Sequence, residues 1–237
     1  MKLNKIKINN KIFKLYFKKD VFIPTATSNF LVGDFLKLNR NIKNKKILDL
    51  GCGSGVISIA LSEKLKKNKF FASDLTKNSI ICCKKNFTKF KLKGEVKRGS
   101  MFKPWSKYKF NYIINDISGI SSTIAKKSKW FRYVPSSSGI DGTKLTIKII
   151  KDSFKYLDKN GKLYLPLISL SNTKRVLNFA KKKFNKIKVV SKNQWFLPDD
   201  LEKYQDLLFK MKKKKQINFE NKFGKFICYT NILELKN

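Results

Sequence analysis

Ile47-Leu48-Asp49-Leu50-Gly51-Cys52-Gly53-Ser54-Gly55-Val56-Ile57-Ser58-Ile59-Ala60-Leu61 is the stretch that decides the fold. A short apolar run ends in an acid, glycines follow at every second position, and an apolar stretch with helical spacing comes next. That pattern predicts a strand, a tight turn and a helix start. Glycine lacks a Cβ, so the turn can bend sharply and a ligand can lie against its backbone. The helix start is expected to point free N–H groups and a positive dipole end into the turn. Such a place suits a nucleotide-like cofactor bearing a carboxylate or phosphate.

Spacing then narrows the cofactor. The dinucleotide fingerprint is G-x-G-x-x-G, and Asp49-x-Gly51-x-Gly53-x-Gly55 does not fit it. The segment resembles the first motif of class I S-adenosylmethionine-dependent methyltransferases, which implies that Asp49 helps hold the cofactor along its methionine end. The plainer alternative is a glycine turn that only packs a helix on a sheet. A second acid stands where a nucleotide-binding unit needs one. Lys69-Phe70-Phe71-Ala72-Ser73-Asp74 reads as a strand ending in a carboxylate about twenty residues past the glycines. A carboxylate accepts two hydrogen bonds from neighbouring ribose hydroxyls. Alone, Asp74 would be read as a helix cap.

Composition bounds the rest. The chain has 237 residues, 42% of them hydrophobic and 13% aromatic, enough for a sizeable core. No apolar run reaches the ~18 residues of a membrane span, and Met1 to Lys19 lacks the apolar core of a signal peptide. A cytoplasmic location without membrane attachment is the expectation. Cys52, Cys82, Cys83 and Cys228 show no C-x-x-C spacing, which argues against a zinc or redox site. There is no histidine, so histidine-based nucleophile systems and histidine metal ligands are excluded. Acid or base chemistry falls to carboxylates, Lys, Tyr or Cys. The formal charge of +38 favours anionic partners, but its lysines are spread along the whole chain. Lys, Asn, Ile and Phe are abundant together and share AT-rich codons, so nucleotide bias also accounts for the charge.

The chain order predicts an α/β, doubly wound, seven-stranded, mostly parallel sheet with a small N-terminal extension. Residues 3 to 17 read as a hairpin about Asn9-Asn10, and Asn29 to Leu38 as a helix. After the first two strands come Glu95 to Gly99, Tyr112 to Asn115, Lys162 to Leu167, Ile187 to Val190 and Phe226 to Leu235. Helices are expected over about Asn78 to Phe87, Gly142 to Tyr156, Asn172 to Phe184 and from Pro198 through Met211, with Lys212 to Gln216 as a loop. The long connection between Gly119 and Gly142 carries Trp130, Phe131, Arg132, Tyr133 and Pro135, and is expected to be a substrate lid.

Three further segments look like the release-factor glutamine methyltransferase group and its relatives. They are Val21-Phe22-Ile23-Pro24-Thr25-Ala26-Thr27-Ser28, Asp74-Leu75-Thr76 through Asn86, and Ser138-Gly139-Ile140-Asp141-Gly142 through Gly161-Lys162-Leu163. The resemblance spans residues 21 to 167. It implies a Rossmann-like methyltransferase domain over 41–237, with 1–40 as a hairpin-and-helix extension. It also implies S-adenosyl-L-methionine as cofactor.

Two departures matter. That group carries Asn-Pro-Pro-Tyr at the end of strand four, where this chain has Asp116-Ile117-Ser118-Gly119. Both prolines and the stacking ring are missing. An ionised Asp116 only accepts hydrogen bonds, which suits an amine that must lose a proton, such as a Lys ammonium or an N-terminal amine. After strand three, Ser100 replaces the acid that receives the adenine amino group, with Met101 as an apolar wall. The expected cofactor site is Asp49, Gly51, Cys52, Gly53, Gly55, Asp74, Leu75, Ser100, Met101 and Asp116. Asp116 and Ser118 are the expected catalytic residues, and Pro24, Thr25, Ile117 and Trp130 the expected substrate contacts. The expected activity is N-methylation of a macromolecule, with a protein or ribosome-associated substrate first and RNA second. A non-catalytic module that binds cofactor or RNA is the alternative of a different class.

Overall fold

A computed structural model describes residues 1–117 and 119–237. The chain runs β1 (Lys2–Ile8), β2 (Lys11–Phe17), α1 (Ala26–Asn39), β3 (Lys46–Leu50), α2 (Val56–Ser62), β4 (Lys69–Asp74), α3 (Lys77–Lys89), β5 (Gly94–Arg98) and β6 (Phe110–Asn115). It continues through α4 (Ser122–Lys127), α5 (Lys144–Ser153), β7 (Leu157–Ile168), α6 (Thr173–Lys181), β8 (Lys186–Phe196), α7 (Asp199–Glu202), α8 (Gln205–Lys213), β9 (Glu220–Lys222) and β10 (Lys225–Lys236).

The main sheet has the order β5-β4-β3-β6-β7-β10-β8. Pairings among β5, β4, β3, β6 and β7 are parallel, and β10 is antiparallel to both β7 and β8. Side chains alternate between the two faces of each strand. Ile47, Phe70, Ala72, Ile114 and Tyr164 join one core cluster with residues of α1, α2 and α3. Leu48, Phe71, Ile113, Leu163 and Leu165 join another with residues of α5 and α6. Helices therefore cover both faces, which is why the parallel strands read as apolar runs. The order reverses at β3, which lies between β4 and β6, and the crevice at the carboxyl ends of β3 and β6 opens there.

The N-terminal hairpin turns at Asn9 and Asn10, both with positive φ, as a two-residue hairpin of this hand requires. Its Ile8, Phe13, Leu15 and Phe17 join the α1–α3 core. Asn86 of α3 clamps it: the Asn86 Oδ1 accepts from the Tyr16 N–H, and the Asn86 Nδ2 donates to the carbonyls of Tyr16 and Ser54.

Several expectations need correction. Among the described residues the sheet has eight strands, not seven, because β9 folds onto β10 through Phe223 and Gly224. Three residues without alternation carry too little pattern to be read in advance. The helix expected from Pro198 is broken into α7 and α8, since the Tyr204 N–H closes a tight turn onto the Leu201 carbonyl. Lys212 and Lys213 end α8, so only Lys214 to Gln216 are non-helical in the segment expected as a loop. The connection over 120–141 is partly structured. It holds α4 and a 3₁₀ turn at Lys129–Phe131, and Ile120 and Ile124 pack with Leu201, Leu208 and Met211 in a third cluster.

Candidate active site at the sheet crevice

Backbone shape builds the first half of the site. Gly51 has φ +77°, a conformation that L side chains rarely adopt, and an added Cβ would lie 2.2 Å from Cγ1 of Ile117. Gly55 opens α2 with φ +81°, and a Cβ there would meet the Cys83 Sγ at 2.7 Å, so this glycine lets α3 approach. The turn is tied to β4. The N–H groups of Gly51 and Cys52 donate to the Ser73 carbonyl at 2.8 and 3.0 Å, and the Gly53 N–H donates to Asp74 Oδ2 at 3.0 Å. The Gly55 N–H donates to the Cys52 carbonyl. These four amides are used inside the protein, and of the N–H groups at the start of α2, that of Ser58 is taken by Asp49 Oδ2. The turn offers a ligand its shape more than its donors.

Beside the turn lies a cavity of about 270 Å³. Gly51, Cys52, Gly53, Asp74, Leu75, Ser100, Met101 and Asp116 all line it, so these expected cofactor residues are brought together. Ser54, Thr76 and Ser79 add polar groups. Asp49 and Gly55 are not in its wall. The Asp49 carboxylate sits behind the turn, 2% exposed, where its Oδ2 accepts from the Ser58 N–H at 3.1 Å and the Ser58 Oγ at 2.8 Å. Burial pushes its pKa up to about 6, against the pull of the Ser58 bonds. Among the described residues, two buried polar atoms here, Asp49 Oδ1 and the Ser54 Oγ, have no hydrogen-bond partner. Unpaired buried groups are costly, and a polar ligand beside Ser54 would satisfy one of them. The residues present therefore fit a nucleoside-type cofactor with a polar amino-acid end. The Cys52 thiol's pKa is pushed well up by its hydrogen bond to Cys83 and by burial, which disfavours the thiolate form.

A second cavity of about 160 Å³ adjoins the first, sharing Phe22, Asp116, Ile117 and Phe131 with it. Thr25, Ile117 and Trp130 line it, as expected for substrate contacts, whereas Pro24 lines the first cavity. Phe22 stacks on Phe131 with centroids 5.3 Å apart, and Trp130 meets Trp195 edge-on at 5.9 Å. Asp116 stands where the two cavities meet. Ser28, in the first turn of α1, donates to Asp116 Oδ2 at 2.5 Å. Burial raises the Asp116 pKa to about 7, opposed by the Ser28 bond and reinforced by the Asp49 charge. Ser118 lies outside the described residues.

Ser28, Phe22, Phe30, Phe131 and Trp195 had not been singled out as site residues. Phe22 and Ser28 lie within the segment already read as resembling the proline-containing loop, and Phe131 lies in an aromatic run. Trp195 sits on β8, at the far end of the sequence from the turn, and nothing local marks it.

Residues 24–116 match the family model described as methyltransferase small domain. A bifunctional methyltransferase of Rickettsia prowazekii is 30% identical over 160 residues, covering 62% of this chain and 31% of the relative. A release factor glutamine methyltransferase of Gloeobacter violaceus is 28% identical over 156 residues, covering 63% of this chain and 54% of the relative. The chain thus spans about a third to about half of the length of these two curated relatives. A 16S rRNA methyltransferase of T. thermophilus, solved with AdoMet and guanosine, superposes with a TM-score of 0.65 at 12% identity, covering all of this chain and 50% of that one. The chain therefore has the Rossmann-like fold of class I S-adenosylmethionine-dependent methyltransferases, and its residues 24–116 match the methyltransferase small domain.

Proposed function

We propose that this protein is an S-adenosylmethionine-dependent N-methyltransferase acting on a macromolecule. The observation that carries the proposal is the meeting of two cavities at Asp116, one shaped by the glycine turn and the other walled by aromatic rings. The first would hold the cofactor, with Asp74 on the ribose hydroxyls, Leu75 and Met101 beside the adenine, and Ser100 accepting from its amino group. When bound, S-adenosylmethionine supplies a methyl group already activated by its sulfonium. The task left to the chain is to place a nucleophile in line and to take up its proton.

Asp116 is suited to that task. Its pKa of about 7 leaves it partly ionised near neutral pH, poised to accept a proton from an amine. Ser28 fixes one carboxylate oxygen and leaves the other for the acceptor. Phe22, Trp130, Phe131 and Trp195 exclude water and present ring faces on which a cationic amine can rest. A protein amine is the first reading of the acceptor, in keeping with the release factor glutamine methyltransferases among the relatives. An RNA acceptor is the second, favoured by a basic groove that opens beside the aromatic cavity. Incubation with methyl-labelled cofactor and cell extract, followed by protease or RNase, tests both. Label lost to protease supports the first reading and label lost to RNase the second. No label on any macromolecule overturns the proposal.

A further inference from the structure

The groove beside the aromatic cavity is about 1000 Å³ in volume and runs between the start of β1 with the hairpin exit on one side and the stretch after α4 on the other. Lys2, Lys18, Lys19, Lys129 and Arg132 line it. Among the described residues none of these cations stands in an ion pair. Lys18 instead donates to Asn78 Oδ1 at 2.8 Å. The acid in the groove wall, Asp20, is occupied by two hydrogen bonds from Asn78 Nδ2. Tyr133 is 48% exposed, and Lys19 and Arg132 lie over its ring, 4.6 and 5.5 Å from the centroid, where a stacking base would take the place of one of them. Trp130, Phe22 and Thr25 belong to both the groove and the aromatic cavity, so the two are continuous.

The overall charge cannot by itself give this place meaning, because lysines cover the whole chain. What separates the groove is the combination of five cations against one carboxylate, Asp20, a half-exposed ring that two of the cations cover, and a path into the site. Cations along a track with a stacking ring form the arrangement that holds single-stranded nucleic acid. An acidic peptide would use the cations, but it meets Tyr133 with a planar group only where an aromatic residue falls in register, whereas every nucleotide of a strand carries a planar base. We propose that this groove binds single-stranded RNA through its phosphates, with a base stacked on Tyr133 and the strand running towards the aromatic cavity. The purpose of that binding rests on the methyltransfer reading, and the binding itself is measured separately. Which atom receives the methyl group is left to the labelling experiment.

The test uses the full chain and a labelled oligouridine of about twelve nucleotides, with anisotropy read across a salt series. Removing three groove charges together (Lys19→Gln, Lys129→Gln, Arg132→Gln) is expected to lower affinity at least about tenfold. It should also reduce the log–log salt slope by about 2, at ~0.7 per lost phosphate contact. The same charge removed at the exposed end of α8 (Lys213→Gln, Lys214→Gln, Lys215→Gln) should change affinity less than about threefold. Tyr133→Ala, which removes no charge, should weaken binding about tenfold and leave the slope unchanged. Equal losses from the two triple variants would overturn the proposal, since binding would then be unlocalised attraction. Competition by polyglutamate as effective as by oligouridine would also overturn it and assign the groove to an acidic protein. Circular dichroism and cofactor calorimetry on every variant identify any that misfold. Wild-type RNA binding as described without cofactor binding would sink the methyltransfer reading and keep the groove; the reverse result would do the opposite.

Discussion

The two cavities that meet at Asp116 are made in different ways. The cofactor-side cavity takes much of its wall from short runs at the ends of β3, β4 and β5: Gly51 to Ser54, Ser73 to Thr76, and Gly99 to Met101. The acceptor-side cavity draws single rings from Phe22, Phe30, Trp130, Phe131 and Trp195, spread across most of the chain. The first is defined by where the backbone can go, and the second by which side chains the finished fold brings together. A backbone-shaped site therefore tolerates little change in its glycines, while a ring-walled site should weaken gradually as rings are removed.

The sharpest way to break this contrast is Gly51→Ala. The added Cβ is placed in a left-handed conformation and 2.2 Å from Cγ1 of Ile117. Cofactor affinity should fall about a hundredfold, or roughly 3 kcal/mol at ~1.4 kcal/mol per tenfold, as read by calorimetry. Adding Ile117→Ala should recover part of that loss by removing the clash. A lone Gly51→Ala variant that binds normally would show that the turn is not the cofactor wall.

Asp116→Ala comes next. If the carboxylate takes up the acceptor's proton as proposed, transfer should slow by about 10² to 10⁴ while cofactor affinity stays within a few-fold. In the intact protein, transfer should rise with pH through about 7 as Asp116 ionises, and this rise should vanish in the variant. Stability should run the other way. A carboxyl whose pKa is higher in the folded state binds its proton more tightly there, so its burial favours the fold at low pH. That contribution is lost as pH rises from the ordinary carboxylate value towards 7. Asp116→Asn should therefore melt above the wild type at pH 8, with the gap closing below about pH 4. A variant that melts lower at pH 8 would mean that Asp116 is paired more strongly than its Ser28 bond indicates.

On the ring-walled side, Trp195→Ala removes one wall and the edge contact to Trp130. The acceptor KM should rise about fivefold to tenfold, with cofactor affinity unchanged. An equal loss of cofactor affinity would show that the cavities are one site and not two. The smallest effect is expected behind the turn. Ser58→Ala takes away one of the two bonds to Asp49 Oδ2 and should cost about 1 kcal/mol of stability, seen in denaturant melts, with little change in affinity.

The same contrast explains what was legible in the sequence. The seven main strands, the glycine turn and Asp74 all announce themselves through local spacing, since a strand, a turn and a strand-end acid are each made by neighbours. Asp49 was legible as an acid at the strand end, but not that its carboxylate would turn back to Ser58 at the start of α2. Trp195 and Phe30 gave no signal, because their place in the site depends on β8 and α1 reaching the same crevice. The 120–141 segment hid α4, whose Ser122 to Lys127 is too short and polar to show helical periodicity and is held by packing of Ile124 and Ala125. The break between α7 and α8 likewise arises from one backbone bond at Tyr204 that spacing does not encode.

Calorimetric titration of the wild-type chain with S-adenosylmethionine, repeated with its demethylated product and with Gly51→Ala, bears most directly on the central claim. Saturable binding of one ligand per chain is expected for both compounds, with affinity for both lowered about a hundredfold in the variant. Absence of heat from the wild type at saturating ligand, or equal binding by the variant, would contradict it.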